Sequence, residues 1–203
     1  MQILLIHGQG RTPFSLWPLA RRLRQHDHTP HYFGYAGFAQ PFERIVDRLV
    51  QSVPQKVGAV PYAIVSHSLG GVITRAALPR LVDNLPQRLV MLAPPNHPAM
   101  LAKKLRDNPL YRLATGDCGQ KLGDDEFYAS LPLPIVPTTI IAGTKGWQGG
   151  LSPFGDRPND TLLLVEETEL DGCETFYVPS RHSVIMYSRQ VADIVIGVFD
   201  RGS

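Results

Sequence analysis

The chain has 203 residues, enough for one domain or at most two small ones, and a chain of this length buries about 70% of its unfolded surface without a disulfide or metal staple. Hydrophobic residues make up 43% and charged residues 19%, which excludes intrinsic disorder. The 20 basic and 18 acidic residues leave a net charge of +2, and the basic ones are scattered apart from Arg21, Arg22 and Arg24, which argues against a nucleic-acid surface.

From the N-terminus, short apolar runs alternate with amphipathic stretches. Residues 3–6 (Ile-Leu-Leu-Ile) read as a buried strand ending at His7-Gly8. Residues 14–25 follow with Leu16, Leu19, Ala20 and Leu23 at helical spacing. Residues 31–35 are rich in aromatics and read as a second strand. Residues 42–53 form a second helix, with Ile45, Val46, Leu49 and Val50 on one side and Glu43, Arg44, Asp47 and Arg48 on the other. A third strand over 61–66 leads into a helix over 69–78 that ends near Pro79. Further strands are expected over 88–93, 138–143 and 174–178, and a long C-terminal helix over 184–199.

Strands alternating with helices imply parallel pairing through helical crossovers, so the expected fold class is α/β, a doubly wound, mostly parallel sheet with helices on both faces. Residues 94–137 are the irregular region, a long connection with a short helix over 98–106; it reads as a small lid or a pocket wall. No apolar run approaches the roughly 18–20 residues that span a bilayer. No signal peptide precedes the first strand, so a cytoplasmic location is expected, with a trimmed secreted or periplasmic form left open. Cys118 and Cys173 match no zinc spacing and no C-x-x-C, and whether they pair stays open.

The strongest chemical signal is Ser66-His67-Ser68-Leu69-Gly70-Gly71, between a strand and a helix. In the G-x-S-x-G elbow a serine occupies a sharp strand-to-helix turn, and small residues flank it because the two backbones approach closely. Gly70 fills the second small position; Ser66 replaces the first glycine. Ser68 is therefore the candidate nucleophile. His7-Gly8-Gln9-Gly10 follows the first strand, where a loop can aim backbone N–H groups at an oxyanion. The Gln9 and Leu69 amides are the candidate donors. A dinucleotide loop is disfavoured because Pro13 stands where the third glycine of G-x-G-x-x-G would be.

A nucleophilic serine needs a base and an orienting acid, in the chain order Ser, Asp or Glu, His for this architecture. Only His97 and His182 lie beyond the elbow, and His182 is favoured because its loop follows the last strand. Asp160 is the favoured acid: the apolar residues 162–165 that follow can hold it beneath the surface. Asp156, beside Arg157, reads as half of a solvated pair; Glu166, Glu167 and Asp171 are further alternatives. Trp147, Phe154, Phe38 and residues 131–133 are candidate pocket walls. No cofactor is expected. No metal is expected either, since His26, Asp27, His28 and His31 lack a ligand spacing.

In this order, Ile-His-Gly-Gln-Gly, Ser-His-Ser-Leu-Gly-Gly, Pro-Asn-Asp and the His182 loop resemble the α/β-hydrolase superfamily, and the small size resembles its minimal bacterial lipases and esterases. The resemblance covers nearly the whole chain and is weakest over 94–137. It implies a hydrolase without a large cap domain, with Ser68 as nucleophile, Asp160 as acid, His182 as base, and Gln9 and Leu69 as oxyanion amides. Ser66 in the elbow, and Thr161 where glycine often follows the acid, are the two departures. The expected activity is hydrolysis of a small-molecule or lipid carboxylic ester through an acyl-enzyme. The alternatives are an acyltransferase, thioesterase or amidase with the same triad, or a non-catalytic binding protein on this fold.

Overall fold

The computed structural model describes residues 1–150 and 152–201. Its centre is a six-stranded sheet in the order β2-β1-β3-β4-β5-β6. The strands are β1 (Gln2–Ile6), β2 (Thr29–Phe33), β3 (Tyr62–His67), β4 (Arg88–Leu92), β5 (Thr138–Gly143) and β6 (Glu174–Val178), and every neighbouring pair is parallel. Parallel pairing requires a crossover after each strand. The helices α1 (Trp17–Gln25), α2 (Phe42–Val57), α3 (Leu69–Ala77) and α8 (Arg189–Asp200) cover the faces.

Side chains alternate along each strand, and this divides the core into two. Leu4, Ile6, Tyr62, Ile64, Leu89, Met91 and Ile140 pack on the α2–α3 side. Ile3, Leu5, Ala63, Val65, Val90, Leu92 and Ile141 pack on the α1–α8 side. Strands buried on both faces explain why the sequence shows continuous apolar runs instead of alternation.

The sequence-based elements hold, with shifted ends. The second strand is Thr29–Phe33, earlier than expected. The first helical stretch opens with a 3₁₀ turn, Pro13–Leu16, before α1. The C-terminal stretch divides at Ser188, whose hydroxyl accepts the Val191 amide and starts α8 after a 3₁₀ segment, His182–Tyr187. The largest difference lies in 94–137, which holds three helices: α4 (Met100–Leu105), α5 (Pro109–Lys121) and α6 (Asp125–Ser130). Asn108 caps α5 by accepting the Leu110 and Tyr111 amides, and Asp124 caps α6 through the Phe127 amide. Gly116 interrupts α5 with φ +59°, a left-handed conformation that breaks its apolar periodicity and hid it in the sequence. A short α7 (Val165–Thr168) precedes β6. Both cysteines are free thiols; Cys118 is buried, and burial pushes its thiol up to about 12. No described helix is long and apolar enough to cross a membrane.

Helix α3 approaches the end of β1 closely at Gly70. A methyl group placed on Gly70 would lie 2.7 Å from the carbonyl oxygens of both Ile6 and His7. These atoms belong to the backbone of a central strand and cannot yield cheaply. Gly70→Ala is therefore expected to destabilise the protein by about 1–3 kcal/mol, the usual range for overpacking. A lowered urea midpoint at unchanged m-value is the measurement that checks it.

Candidate active site

Ser68 lies between β3 and α3 with φ +51° and ψ −125°, a combination rarely adopted outside glycine. Such a residue costs roughly 1–3 kcal/mol, and here the surrounding backbone holds it in place. The Ser68 amide donates to the Leu92 carbonyl at 2.9 Å, and its carbonyl accepts the Gly71 amide at 2.8 Å. The turn lifts the hydroxyl out of the sheet edge while Ser68 stays 9% exposed.

His182 and Asp160, from the loops flanking β6, complete the arrangement. Ser68 Oγ is 2.8 Å from His182 Nε2, and His182 Nδ1 is 2.7 Å from Asp160 Oδ2. A carboxylate only accepts, so Nδ1 carries the proton and Nε2 is left to accept from the serine hydroxyl. Asp160 is 1% exposed and its other oxygen, Oδ1, accepts the Leu162 and Leu163 amides at 3.0 and 2.8 Å. To make this turn Thr161 takes φ +90°, which accounts for the frequent use of glycine after the acid. The His182 amide donates to the Asp160 carbonyl at 2.8 Å, so main chain and side chain tie the two residues together. Ser68, His182 and Asp160 thus have the arrangement of a serine-hydrolase catalytic triad.

The rival acids have other tasks. Glu167 is buried and accepts the Met100 and Leu164 amides at 2.7 and 2.9 Å, so it caps the start of α4. Asp156 is exposed and accepts the Gly149 amide, while Arg157 pairs with Glu166, not with Asp156 as expected. His97 lies away from Ser68, with its amide on the Glu167 carbonyl.

Two further histidines pin the loops. The His7 ring stacks on Tyr35 at 4.3 Å, accepts the Tyr35 amide at Nε2 and donates from Nδ1 to the Gly8 carbonyl. Tyr35 in turn donates its hydroxyl to the His7 carbonyl at 2.7 Å. This fixes the His7–Gly10 loop beside the elbow, where a methyl on Gly8 would come within 2.9 Å of Ser68 Cβ. His67 Nε2 donates to the His182 carbonyl at 3.1 Å. Burial, and then the neighbouring His182 and Arg11, hold His67 well below the ordinary histidine value; burial also lowers His7. The sequence reading assigned neither residue this part, although His67 adjoins the nucleophile.

A cavity of about 260 Å³ opens at Ser68 and His182. Its walls are Pro95, Ala99, Leu101, Ala102, Leu105, Tyr111, Thr115, Leu122, Leu162 and Leu163, with Gln9 and Arg11 at the serine end. The expected wall residues Trp147, Phe154, Phe38 and 131–133 do not line it. Trp147 and Phe38 are exposed and Phe154 is buried elsewhere, because α4 and α5 occupy the space over the serine. Arg75, a buried cation that the sequence reading passed over, holds the base of that region by donating to the carbonyls of Asn96, Leu131 and Pro132.

His7 and His67 titrate near 6.5 when unfolded and lower when folded, so the unfolded state binds more protons below that value. Their contribution is complete above pH 6.5 and is lost as pH falls through that range, at up to about 1.4 kcal/mol per histidine per pH unit. Burial raises Glu167, which has the opposite sign and offsets part of this at the acid end. Melting temperatures are expected to fall on acidification below that pH, and to fall less steeply in His67→Gln.

Solved structures share this fold at low identity. The mature lipase BlEst2 of Bacillus licheniformis superposes with a TM-score of 0.69 at 16% identity, covering 98% of this chain and 90% of that one. Phospholipase PlaB of Legionella pneumophila, in complex with thio-NAD, gives 0.74 at 16% identity, covering 99% of this chain but 62% of that longer one. No curated protein is significantly similar in sequence. Residues 3–196 match the alpha/beta hydrolase family, and with the parallel sheet, the serine elbow and the Ser68–His182–Asp160 arrangement, the chain belongs to that family.

Proposed function

We propose that the protein hydrolyses carboxylic esters carrying a single apolar acyl chain. The observation that carries this reading is the cavity, which begins at Ser68 Oγ and runs between apolar residues of α4, α5 and the 162–163 turn. Typical small-molecule pockets are roughly 300–1,000 Å³, so this one suits one chain of short to medium length. The similar structures named as a lipase and a phospholipase agree with that substrate class.

Ser68 Oγ attacks the ester carbonyl as His182 Nε2 takes its proton. Asp160 holds the imidazole in the required tautomer and stabilises the imidazolium. The carbonyl oxygen becomes an oxyanion, which receives N–H bonds from Leu69 and Gln9. Leu69 is the first residue of α3, where an amide has no carbonyl of its own helix to bond. Gln9 belongs to the loop that His7 and Tyr35 hold in place, and its side chain anchors to the Thr115 carbonyl at 3.0 Å. Collapse expels the alcohol, which takes the proton from His182. Water then gives its proton to His182 and attacks the acyl-serine, releasing the acid and restoring Ser68.

Ser68→Ala is expected to abolish fluorophosphonate labelling and to remove measurable ester turnover, and persistent labelling would overturn the nucleophile assignment. Asp160→Asn leaves the shape but reverses the tautomer, so kcat is expected to fall by about 10⁴-fold. In a p-nitrophenyl ester series, turnover is expected to peak at short to medium chains below their micellar threshold. Ala102→Leu, which narrows the cavity, is expected to lower kcat/KM for octanoate more than for acetate. A peak confined to long chains above that threshold would contradict the proposed chain length.

A further inference from the structure

The serine end of the cavity carries one feature that an apolar ester does not require. Arg11 projects from the His7–Gly10 side into the rim shared by Ser68, His182 and Ser183. Its Nη2 donates to the Ser183 carbonyl at 3.0 Å, which fixes the guanidinium beside the catalytic histidine. It is only partly exposed. Among the described residues no carboxylate pairs with it, whereas the arginine and lysine ion pairs lie nearer the outer surface. A guanidinium has five N–H donors in a planar fork, and one donor on the Ser183 carbonyl leaves the rest available.

Its side of the site follows from the chemistry. His182 protonates the departing alcohol, and Arg11, which lines the cavity beside His182 and Ser183 rather than among the side chains of α4 and α5, is within reach of the alcohol half. A half-buried cation without a counter-ion is poorly compensated, and an oxyanion there gains a charge-assisted, planar contact.

We propose that Arg11 selects esters whose alcohol half carries an anionic group, a phosphate or a carboxylate. This inference rests on the ester-hydrolase reading and specifies the substrate of the same site. The acyl chain fills the cavity of α4 and α5, and the anion of the alcohol lies on Arg11.

The test compares kcat/KM for mono-octanoylglycerol and its phosphate ester, and for ethyl octanoate and the octanoyl ester of glycolate, in wild type, Arg11→Gln and Arg11→Lys. Wild type is expected to prefer the anionic member of at least one pair by about tenfold or more, as one charge-assisted hydrogen bond supplies. Which pair shows the preference identifies phosphate or carboxylate. Arg11→Gln is expected to erase the preference and Arg11→Lys to retain part of it. Equal loss on both members of a pair, the result if Arg11 only braces the Ser183 loop, overturns the proposal. Should Arg11→Gln fold poorly, added sodium chloride on wild type decides: a selective fall for the anionic ester supports the proposal, and parallel curves overturn it. Turnover without anion preference overturns this proposal alone. No turnover on any of these esters or on p-nitrophenyl butyrate overturns the ester reading and this proposal with it.

Discussion

The contact on which the rest of the site depends is the approach of α3 to the last carbonyls of β1 at Gly70. With no side chain there, the helix N-terminus comes down against the strand end, and the turn between β3 and α3 becomes sharp enough to hold Ser68 at positive φ. The same approach brings the His7–Gly10 loop alongside, so that Gly8 lies against both His67 and Ser68 Cβ. One steric constraint therefore places the hydroxyl, the first helical amide and the neighbouring loop together. Any larger residue at Gly70 would separate them at once.

The other loops at this edge of the sheet are long and carry many backbone polar groups, and a small set of buried side chains holds them. His7 and Tyr35 brace the loop after β1, and His67 braces the loop after β6 through the His182 carbonyl. Arg75 gathers the carbonyls of Asn96, Leu131 and Pro132, and Glu167 accepts the Met100 amide that begins α4 and the Leu164 amide that caps α7. Most of these bonds join a charged or ring group to the main chain. They satisfy buried backbone while fixing where α4 and α5 stand, and α4 and α5 line the cavity at Ser68. His67 reaches the cavity, while His7, Tyr35, Arg75 and Glu167 shape it from outside its lining.

The strands and the triad were legible because each is written locally. Runs such as Ile3–Ile6 and Ala63–Val65 are apolar on both faces, which only a covered parallel sheet explains. Ser68 and His182 stand at strand ends, where the chain order of this architecture places its reacting groups. Asp160 was separable from Asp156 by the apolar residues behind it, and the structure shows why: Leu162 and Leu163 turn their amides back onto its carboxylate. The cavity wall was not legible. Its residues come from three separated segments, and Gly116 breaks the periodicity that would have revealed α5. Trp147 and Phe38 look like pocket residues by composition, yet α4 and α5 already fill the region above Ser68, leaving them on the surface.

By itself the sequence determined a parallel α/β sheet, a serine on a strand-to-helix elbow, and the order in which acid and base follow it. Those features depend on neighbours within a few residues: apolar runs, a glycine where backbones meet, a histidine in a loop after a strand. Tertiary structure decided what depends on long-range packing. It chose Glu167 as a helix cap instead of a triad acid, and it set His67 against the His182 carbonyl. It also brought Arg11 to the Ser183 carbonyl beside His182. A side chain's role in each case follows from which distant backbone atoms and charges it meets, and that is information no local window contains.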